Sequence, residues 1–577
     1  MSYQQTAEKW LAFNHLEVEL KEQLSAISQD EKRLEDAFYK DLEFGTGGMR
    51  GEIGAGTNRM NTYTVRKASQ GLSDYIKSAG QEAMKKGVII AYDSRRKSPE
   101  FAHEAASTFA KNGIQAYVYD QPRTTPQLSF SVRELGAYMG VVVTASHNPP
   151  EYNGYKVYGE DGAQLNLEDA KAVITHVQRV GDELAVEAGN YEDLVKTGMI
   201  EIVGRKLDEA YLKLVESVQH HRELTGKDDL KVVFSPLHGA SGSTVRELMN
   251  RVGYTNFTYV EDQMEPNGDF PTLSSANPEE AAAFELAIQQ GKEVFADILI
   301  TADPDGDRVG VAVKQEDDYV LLTGNQTGAI LIEYLLTQLN DKGIMPTNGR
   351  VFKTIVTSDL GKVIAESHGA STEDVLTGFK FIGEKIQQYQ LTKEFKFLFG
   401  YEESYGYLIK PFARDKDAIQ AILSISEAAA FYKMQGKTLL SVLHELYVRH
   451  GYYLEGLVSV MKKGSDGALE IKGLLTNLRN NPLSEVAGIA ILSQEDYLTQ
   501  TRSFTDGRDD EKLLLPQADV LKYFLADGSW ICVRPSGTEP KIKYYIGVTS
   551  PSEIDSKEKL DAITTQFTAE MDSRFSL

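Results

Sequence analysis

The chain has 577 residues, 41% of them apolar and 25% charged, which at roughly 150 residues per domain leaves room for about four domains with cores of their own. A net charge of −23 argues against a nucleic-acid backbone or an anionic membrane as the main partner, so a phosphate site has to be a local cluster of cations set against the overall sign. The single cysteine, Cys532, excludes intramolecular disulfides, no basic-then-apolar leader opens the chain, and no apolar run nears the roughly 20 residues of a membrane helix, so a soluble cytoplasmic protein is expected. No feature of the sequence sets an oligomeric state.

In chain order, one arrangement recurs three times: a β-branched run, a polar loop, an amphipathic segment, a glycine and a second strand-like run. The first copy runs from Val88-Ile89-Ile90-Ala91-Tyr92 to Ala116-Tyr117-Val118-Tyr119. Ser98 is the expected N-cap of its helix, with Pro99 and Glu100 in the first turn. The second copy runs from Lys231-Val232-Val233-Phe234 to Phe257-Thr258-Tyr259-Val260, and the third from Val351-Phe352-Lys353-Thr354-Ile355-Val356 to Val375-Leu376. Strand–helix–strand units imply largely parallel pairing with right-handed crossovers. Beyond about residue 450 short strands alternate with helical stretches, as in a smaller α+β domain. The expected division is 1–205, 206–323, 324–450 and 451–577: three related α/β domains and a C-terminal α+β domain around a central cleft.

Four loops carry chemistry. Thr144-Ala145-Ser146-His147-Asn148-Pro149-Pro150 follows the apolar run Gly140-Val141-Val142-Val143, and its prolines stop a helix from forming. Ser146 is either a nucleophile or phosphoryl carrier, or part of a turn that bonds its own backbone. The nucleophile elbow of serine hydrolases is absent, and Lys156 follows within reach. Asp303-Pro304-Asp305-Gly306-Asp307-Arg308 lies between two apolar strands; three carboxylates at spacing two repel unless a cation sits among them, and all-oxygen donors favour Mg²⁺ or Ca²⁺. An EF-hand fits badly, because Arg308 stands where its glycine belongs.

In Gly400-Tyr401-Glu402-Glu403-Ser404-Tyr405-Gly406, a carboxylate and a hydroxyl two apart can grip sugar hydroxyls, although an ordinary polar turn reads the same. Arg534-Pro535-Ser536-Gly537-Thr538-Glu539-Pro540 offers a guanidinium fork, hydroxyls and glycine-freed N–H groups to a phosphate, or is a surface turn. The glycine-rich stretches at 45–51 and 378–385 miss the dinucleotide and P-loop patterns.

With T-A-S-H-N-P-P, D-P-D-G-D-R, the sugar-type loop and the phosphate nest in that order, the chain resembles the α-D-phosphohexomutase superfamily of phosphoglucomutases and phosphomannomutases. The resemblance runs from Phe44-Gly45-Thr46-Gly47-Gly48-Met49-Arg50-Gly51 to Arg534–Pro540, and the length and F-G-T-G-G-M-R-G look most like the long phosphoglucomutase branch. It implies that Ser146 is a phosphoserine completing a Mg²⁺ site with Asp303, Asp305 and Asp307. Arg50 and Arg308 would steady the transferring phosphoryl group, and Glu402 and Ser404 would hold sugar hydroxyls. Gly378 and Lys380 would belong to a loop that senses sugar orientation, and Arg534, Ser536, Gly537 and Thr538 would clamp the other phosphate.

The expected reaction interconverts glucose 1-phosphate and glucose 6-phosphate through glucose 1,6-bisphosphate, which also serves as activator. Lys156 is the first candidate for the travelling proton, Lys416 the second, and His147 orients Ser146. Mannose or pentose phosphates are the alternative substrates; a non-catalytic phosphosugar binder and a metal-dependent phosphatase are the rival classes. Two positions depart from relatives: Gly406 where some carry histidine, and Phe379 where many carry tryptophan.

Overall fold

The computed structural model describes residues 2–45, 47–462, 464–536 and 541–575. The chain divides into two compact units, one of Met1–Arg350 with Gly378–Leu439, the other of Val351–Thr377 with Leu440–Leu577.

The first unit opens with three helices, Tyr3–Ala12, Val18–Ile27 and Glu31–Phe38. They share a small core in which Trp10 meets Phe38 and Tyr63 edge-on and donates its indole N–H to Glu183 at 2.8 Å. A six-stranded sheet follows in the order Gly48–Glu52, Tyr152–Tyr158, Met139–Val143, Val88–Tyr92, Ala116–Tyr119, Ile200–Val203. Its last four strands are parallel, and Tyr152–Tyr158 runs against both of its neighbours, so the sheet is mixed.

Val88, Ile90 and Tyr92 face one apolar layer while Ile89 and Ala91 face the other, which is why this strand reads as a continuous apolar run. The helix after it spans Ser98–Lys111, but its N-cap is Lys97 at φ 64°, not Ser98. The Ser98 hydroxyl instead donates to the buried carboxylate of Asp93 at 2.8 Å, and that charge-assisted bond outcompetes the capping bond.

A second mixed sheet runs in the order Asp318–Leu322, Val309–Gln315, Ile298–Ala302, Val232–Ser235, Phe257–Tyr259. Its last three strands are parallel and its first two form antiparallel hairpins. Also in this unit are the helices Gly324–Asp341, Phe379–Thr392 and Ala418–Lys433 and the hairpin Lys396–Glu402/Gly406–Leu408.

The second unit carries the third strand–helix–strand copy from Val351 onward, with helix Leu360–Ser367 and strand Ser371–Val375. Its main element is an antiparallel sheet in the order Tyr452–Met461, Lys541–Ser550, Trp530–Pro535, Leu521–Leu525, Ile489–Asp496, Thr501–Phe504, Glu511–Lys512. Alternate residues Leu521, Tyr523 and Leu525 pack with Ile563, Phe567 and Met571 of helix Glu553–Phe575 and with helix Gly464–Asn480. Lys522, Phe524 and Cys532 therefore face the other way; Cys532 is a buried free thiol. Among the described residues no helix is long and apolar enough to cross a membrane.

Candidate active site

Strand Met139–Val143 delivers Ser146 to the edge of the first sheet, in a left-handed backbone conformation at φ 52° that a non-glycine residue adopts only when its surroundings enforce it. The enforcing group is Arg95, 1% exposed, whose guanidinium donates to the carbonyls of Ser146 at 2.5 and 3.2 Å, Pro149 at 2.8 Å and Tyr152 at 3.0 Å, and to that of Asn148. Asp93 pairs with Arg95 at 3.5 Å and accepts the Thr144 hydroxyl at 2.5 Å; the Ser146 N–H donates to Thr144 Oγ1 at 2.8 Å. The face of Phe270 lies 5.2 Å from the guanidinium. Serine, threonine, aspartate and arginine thus form one buried frame around the reactive hydroxyl.

The second sheet delivers the triad between strands Ile298–Ala302 and Val309–Gln315. Asp303 Oδ1 accepts the backbone N–H groups of Asp307 at 3.1 Å and Arg308 at 2.9 Å, which curls the loop. Gly306 has φ 64°, and a Cβ there would lie 2.6 Å from Thr124 Cγ2, so glycine is required. Thr125 binds Asp305 twice, N–H to carbonyl and hydroxyl to Oδ2, both at 2.8 Å.

Ser146 Oγ donates to Asp303 Oδ2 at 2.6 Å and stands 3.3 Å from His147 Nδ1. Lys156 Nζ donates to Asp305 Oδ2 at 2.7 Å and lies 3.6 Å from Asp307 Oδ2; Lys416 Nζ lies 3.1 Å from Asp307 Oδ2. One oxygen from each aspartate lies within 4.8 Å of the others, and all three residues are buried. Asp305 Oδ1 and Asp307 Oδ1 are buried and accept no hydrogen bond. Two orphaned carboxylate oxygens beside a third carboxylate and a hydroxyl form an all-oxygen donor set, which fits a hard divalent cation.

The charges agree. Burial, then Asp305 and Asp307, push the Asp303 carboxyl well above its usual range. Burial acts the same way on Asp305, but the Lys156 ammonium overrides it and holds that carboxyl far below. Burial opposes the charge of Lys156 and of Lys416, yet the carboxylates around them keep both ammoniums raised. Arg308 is held firmly charged in spite of burial by Glu279, which accepts its guanidinium at 2.7 Å, and by Asp307 and Asp303. Burial and then Arg308 and Arg50 push the His147 imidazole well below its usual value, so it is neutral beside Ser146.

The remaining expected residues divide between the units. Arg50, exposed on strand Gly48–Glu52, donates to Asn148 Oδ1 in the serine loop at 2.8 Å. Glu402 is 7% exposed and accepts the Gly378 N–H at 2.8 Å, so the sugar-type loop and the orientation loop are directly bonded. Burial raises the Glu402 carboxyl, and burial lowers the Lys380 ammonium to about 8 with only Glu384 opposing. Ser404 is half-buried in the hairpin turn. Arg534 and Ser536 belong to the second unit, where the Ser536 N–H donates to the Lys541 carbonyl at 2.6 Å. Gly537 and Thr538 lie outside the described residues.

Sequence reasoning missed Arg95, Asp93, Thr125 and Glu279. Asp93 and Arg95 did carry a signal: they sit at the carboxyl end of a buried parallel strand, where α/β sheets place their ligands.

Four family models match in succession, all of the phosphoglucomutase/phosphomannomutase type: alpha/beta/alpha domain I over residues 41–183, domain II over 209–316, domain III over 323–450 and the C-terminal domain over 470–559. A phosphoglucomutase of Staphylococcus epidermidis is 38% identical over 530 residues, covering 90% of this chain and 93% of the relative. One of Staphylococcus aureus is 36% identical over 543 residues, covering 94% and 95%. Among solved structures, parafusin, a phosphoglucomutase from Paramecium, aligns with a TM-score of 0.68 at 17% identity over 93% of this chain and 95% of that one. A phosphoglucomutase/phosphomannomutase family protein from Burkholderia thailandensis aligns at 0.65 and 17% over 92% and 97%, which again shows the shared fold. The architecture is three α/β domains with mixed sheets and a C-terminal antiparallel-sheet domain. The chain belongs to the phosphoglucomutase/phosphomannomutase family, the α-D-phosphohexomutases, on its phosphoglucomutase branch, and is a phosphohexomutase isomerase.

Proposed function

We propose that this phosphohexomutase interconverts glucose 1-phosphate and glucose 6-phosphate by way of glucose 1,6-bisphosphate, with Ser146 as the phosphoryl carrier. The observation that carries the reading is the 2.6 Å bond from Ser146 Oγ to Asp303, which brings a strained, buried serine onto a carboxylate triad with two orphaned oxygens. The relatives' activity supports glucose as the sugar. The division near residues 205, 323 and 450 belongs to the same reading, supported by the four matched stretches. We assign the chain to the cytoplasm, where a single free thiol suits the reducing conditions.

Phosphoserine 146 gives its phosphoryl group to the free hydroxyl of a sugar monophosphate: the P–Oγ bond breaks, a bond from phosphorus to the sugar oxygen forms, the hydroxyl proton leaves, and the freed Ser146 oxygen takes up a proton to become a hydroxyl again. Lys156 is the first candidate for that proton and Lys416 the second. Mg²⁺ is our assignment for the triad, and when bound it supplies Lewis-acid stabilisation of charge on the phosphoryl oxygens. Asp305 and Asp307 hold Lys156 protonated, and a dication bound to those carboxylates would weaken that hold.

Arg308, fixed by Glu279, and Arg50, tied to Asn148, present donors to the transferring group. His147, kept neutral, orients the Ser146 hydroxyl. The bisphosphate then turns end for end and returns its other phosphate to Ser146. Glu402 and Ser404 hold sugar hydroxyls, Gly378 and Lys380 read sugar orientation, and Arg534, Ser536, Gly537 and Thr538 grip the idle phosphate.

The test is glucose 1-phosphate turnover with Mg²⁺ and a trace of glucose 1,6-bisphosphate, in wild type and Ser146→Ala. Conversion to glucose 6-phosphate that collapses in the variant supports both substrate and carrier. Turnover of mannose or ribose 1-phosphate in preference to glucose overturns the substrate, release of inorganic phosphate overturns the mutase reading, and full activity of the variant overturns the carrier.

A further inference from the structure

The second unit holds a cavity of about 450 Å³ between the 355–374 segment and the sheet face opposite its helices. None of the residues discussed above for phosphoryl transfer lines it. Its volume is within the range of about 300–1,000 Å³ usual for small-molecule sites.

The four carboxylates on its walls are already paired. Asp359 and Asp374 flank the buried Lys353 at 3.1 and 3.2 Å. Glu495 accepts Arg502 Nε at 2.9 Å, and Glu511 lies 3.2 Å from the same guanidinium.

Three lysines on the same walls, Lys362, Lys512 and Lys522, make no close ion pair with a carboxylate among the described residues, although Asp359 feels the charge of Lys522 and Lys362. Lys522 is only 4% exposed; it donates to the Ile355 carbonyl at 2.6 Å and lies 4.6 Å from the ring of Trp530 and 5.0 Å from that of Phe524. Burial, then neighbouring Lys353, lower its pKa. Asp374 and Asp359 oppose this, but both already pair with Lys353, so an anionic ligand would offset more of the cost of burying the Lys522 ammonium. In a chain of net charge −23, a wall on which Lys362, Arg502, Lys512 and Lys522 balance four carboxylates is a local departure from the overall sign.

Apart from Tyr497, whose hydroxyl donates to Glu495, the rest of the wall is apolar. Phe524 is half-buried, and Leu514, 93% exposed, lines the same cavity. With the carboxylates engaged, little is left for sugar hydroxyls, whereas an aromatic face and a leucine suit a planar base. We propose that this cavity binds a nucleoside polyphosphate, with its phosphates at Lys362, Lys512 and Lys522 and its base against Phe524 and Leu514.

The chain has two tryptophans, so Trp10→Phe leaves Trp530 as the only indole reporter, next to Lys522. Titrating the full-length Trp10→Phe protein with ATP in the absence of divalent cations should give a saturable change in emission. Lys362→Ala/Lys512→Ala, which removes two surface side chains and leaves the core intact, should weaken ATP by about tenfold or more, and Lys522→Met should weaken it further. Tripolyphosphate should bind more weakly than ATP and lose affinity in the same double variant. The proposal is overturned by an absent or unsaturable signal, by ATP affinity unchanged in the double variant, by tripolyphosphate binding as tightly as ATP, or by glucose 1,6-bisphosphate displacing ATP with equal dependence on these lysines.

Discussion

The stem of Lys416 crosses the α-carbon of Gly406 so closely that a Cβ on Gly406 would lie 2.1 Å from Cδ of the lysine and 2.6 Å from Cγ. The missing side chain is what lets the Lys416 ammonium reach Asp307 at 3.1 Å.

Gly406→His or Gly406→Ala should therefore displace Lys416 and lower kcat by about 10²-fold, the usual effect of a 1 Å misplacement in a site. Steady-state kinetics with circular dichroism as a folding control measures this. An unchanged kcat would mean that Lys416 takes another route at no cost.

Arg95 holds four carbonyls and faces buried Asp93. Arg95→Met should destabilise the protein by about 3–5 kcal/mol, because it leaves a buried carboxylate unpaired, and should slow phosphorylation of Ser146. Arg95→Lys keeps the charge but not the planar fork, so it should recover part of the stability and little of the rate. Urea denaturation midpoints and the initial rate of Ser146 labelling by glucose 1,6-bisphosphate separate the two effects. Full rate in Arg95→Lys would remove the positioning role.

Lys380 has its pKa lowered to about 8 by burial, so its charge is lost above that pH. The substrate phosphate, with a second pKa of about 6, is already dianionic there. KM for glucose 1-phosphate should accordingly rise above about pH 8, approaching tenfold per unit, and Lys380→Arg should flatten the rise. The stability effect runs the opposite way: the folded state binds fewer protons than the unfolded one between about 8 and the ordinary 10.5, so this group adds stability as pH rises through that window. A flat KM profile in wild type would show that the Lys380 charge is not used in binding.

The triad should gain from a cation in the absence of any substrate. Mg²⁺ at about 100 times its Kd should add about 2.7 kcal/mol to stability, and chelator should reverse the gain. Asp305→Asn should abolish this increment and lower kcat by about 10²–10³-fold. Thermal and urea unfolding with and without Mg²⁺ check the first, turnover the second. An equal Mg²⁺ increment in wild type and variant would move the metal elsewhere.

The loops that bear chemistry were legible because each is pinned between apolar runs: 140–143 before Ser146, 298–302 and 309–313 around the triad, 397–399 before Glu402. Local order could be read there since strand periodicity and prolines act over a few residues. The N-cap at residue 98 was misread because a buried carboxylate five residues earlier took the Ser98 hydroxyl, and capping rules carry no information about such a competitor. The N-terminal three-helix core went unanticipated; its closing bond joins Trp10 to Glu183 across 173 positions.

Residue order and composition by themselves determined the α/β repetition, the sign of the charge, the three aspartates at spacing two and the family resemblance, all properties of neighbours along the chain. Tertiary structure alone decided that Asp303 faces Ser146 across 157 positions, that Arg95 holds that serine in a left-handed backbone, and that Gly406 yields its space to Lys416. Those relationships depend on which strand ends the sheets bring together, and packing at that range is set by the whole core, not by any local signal.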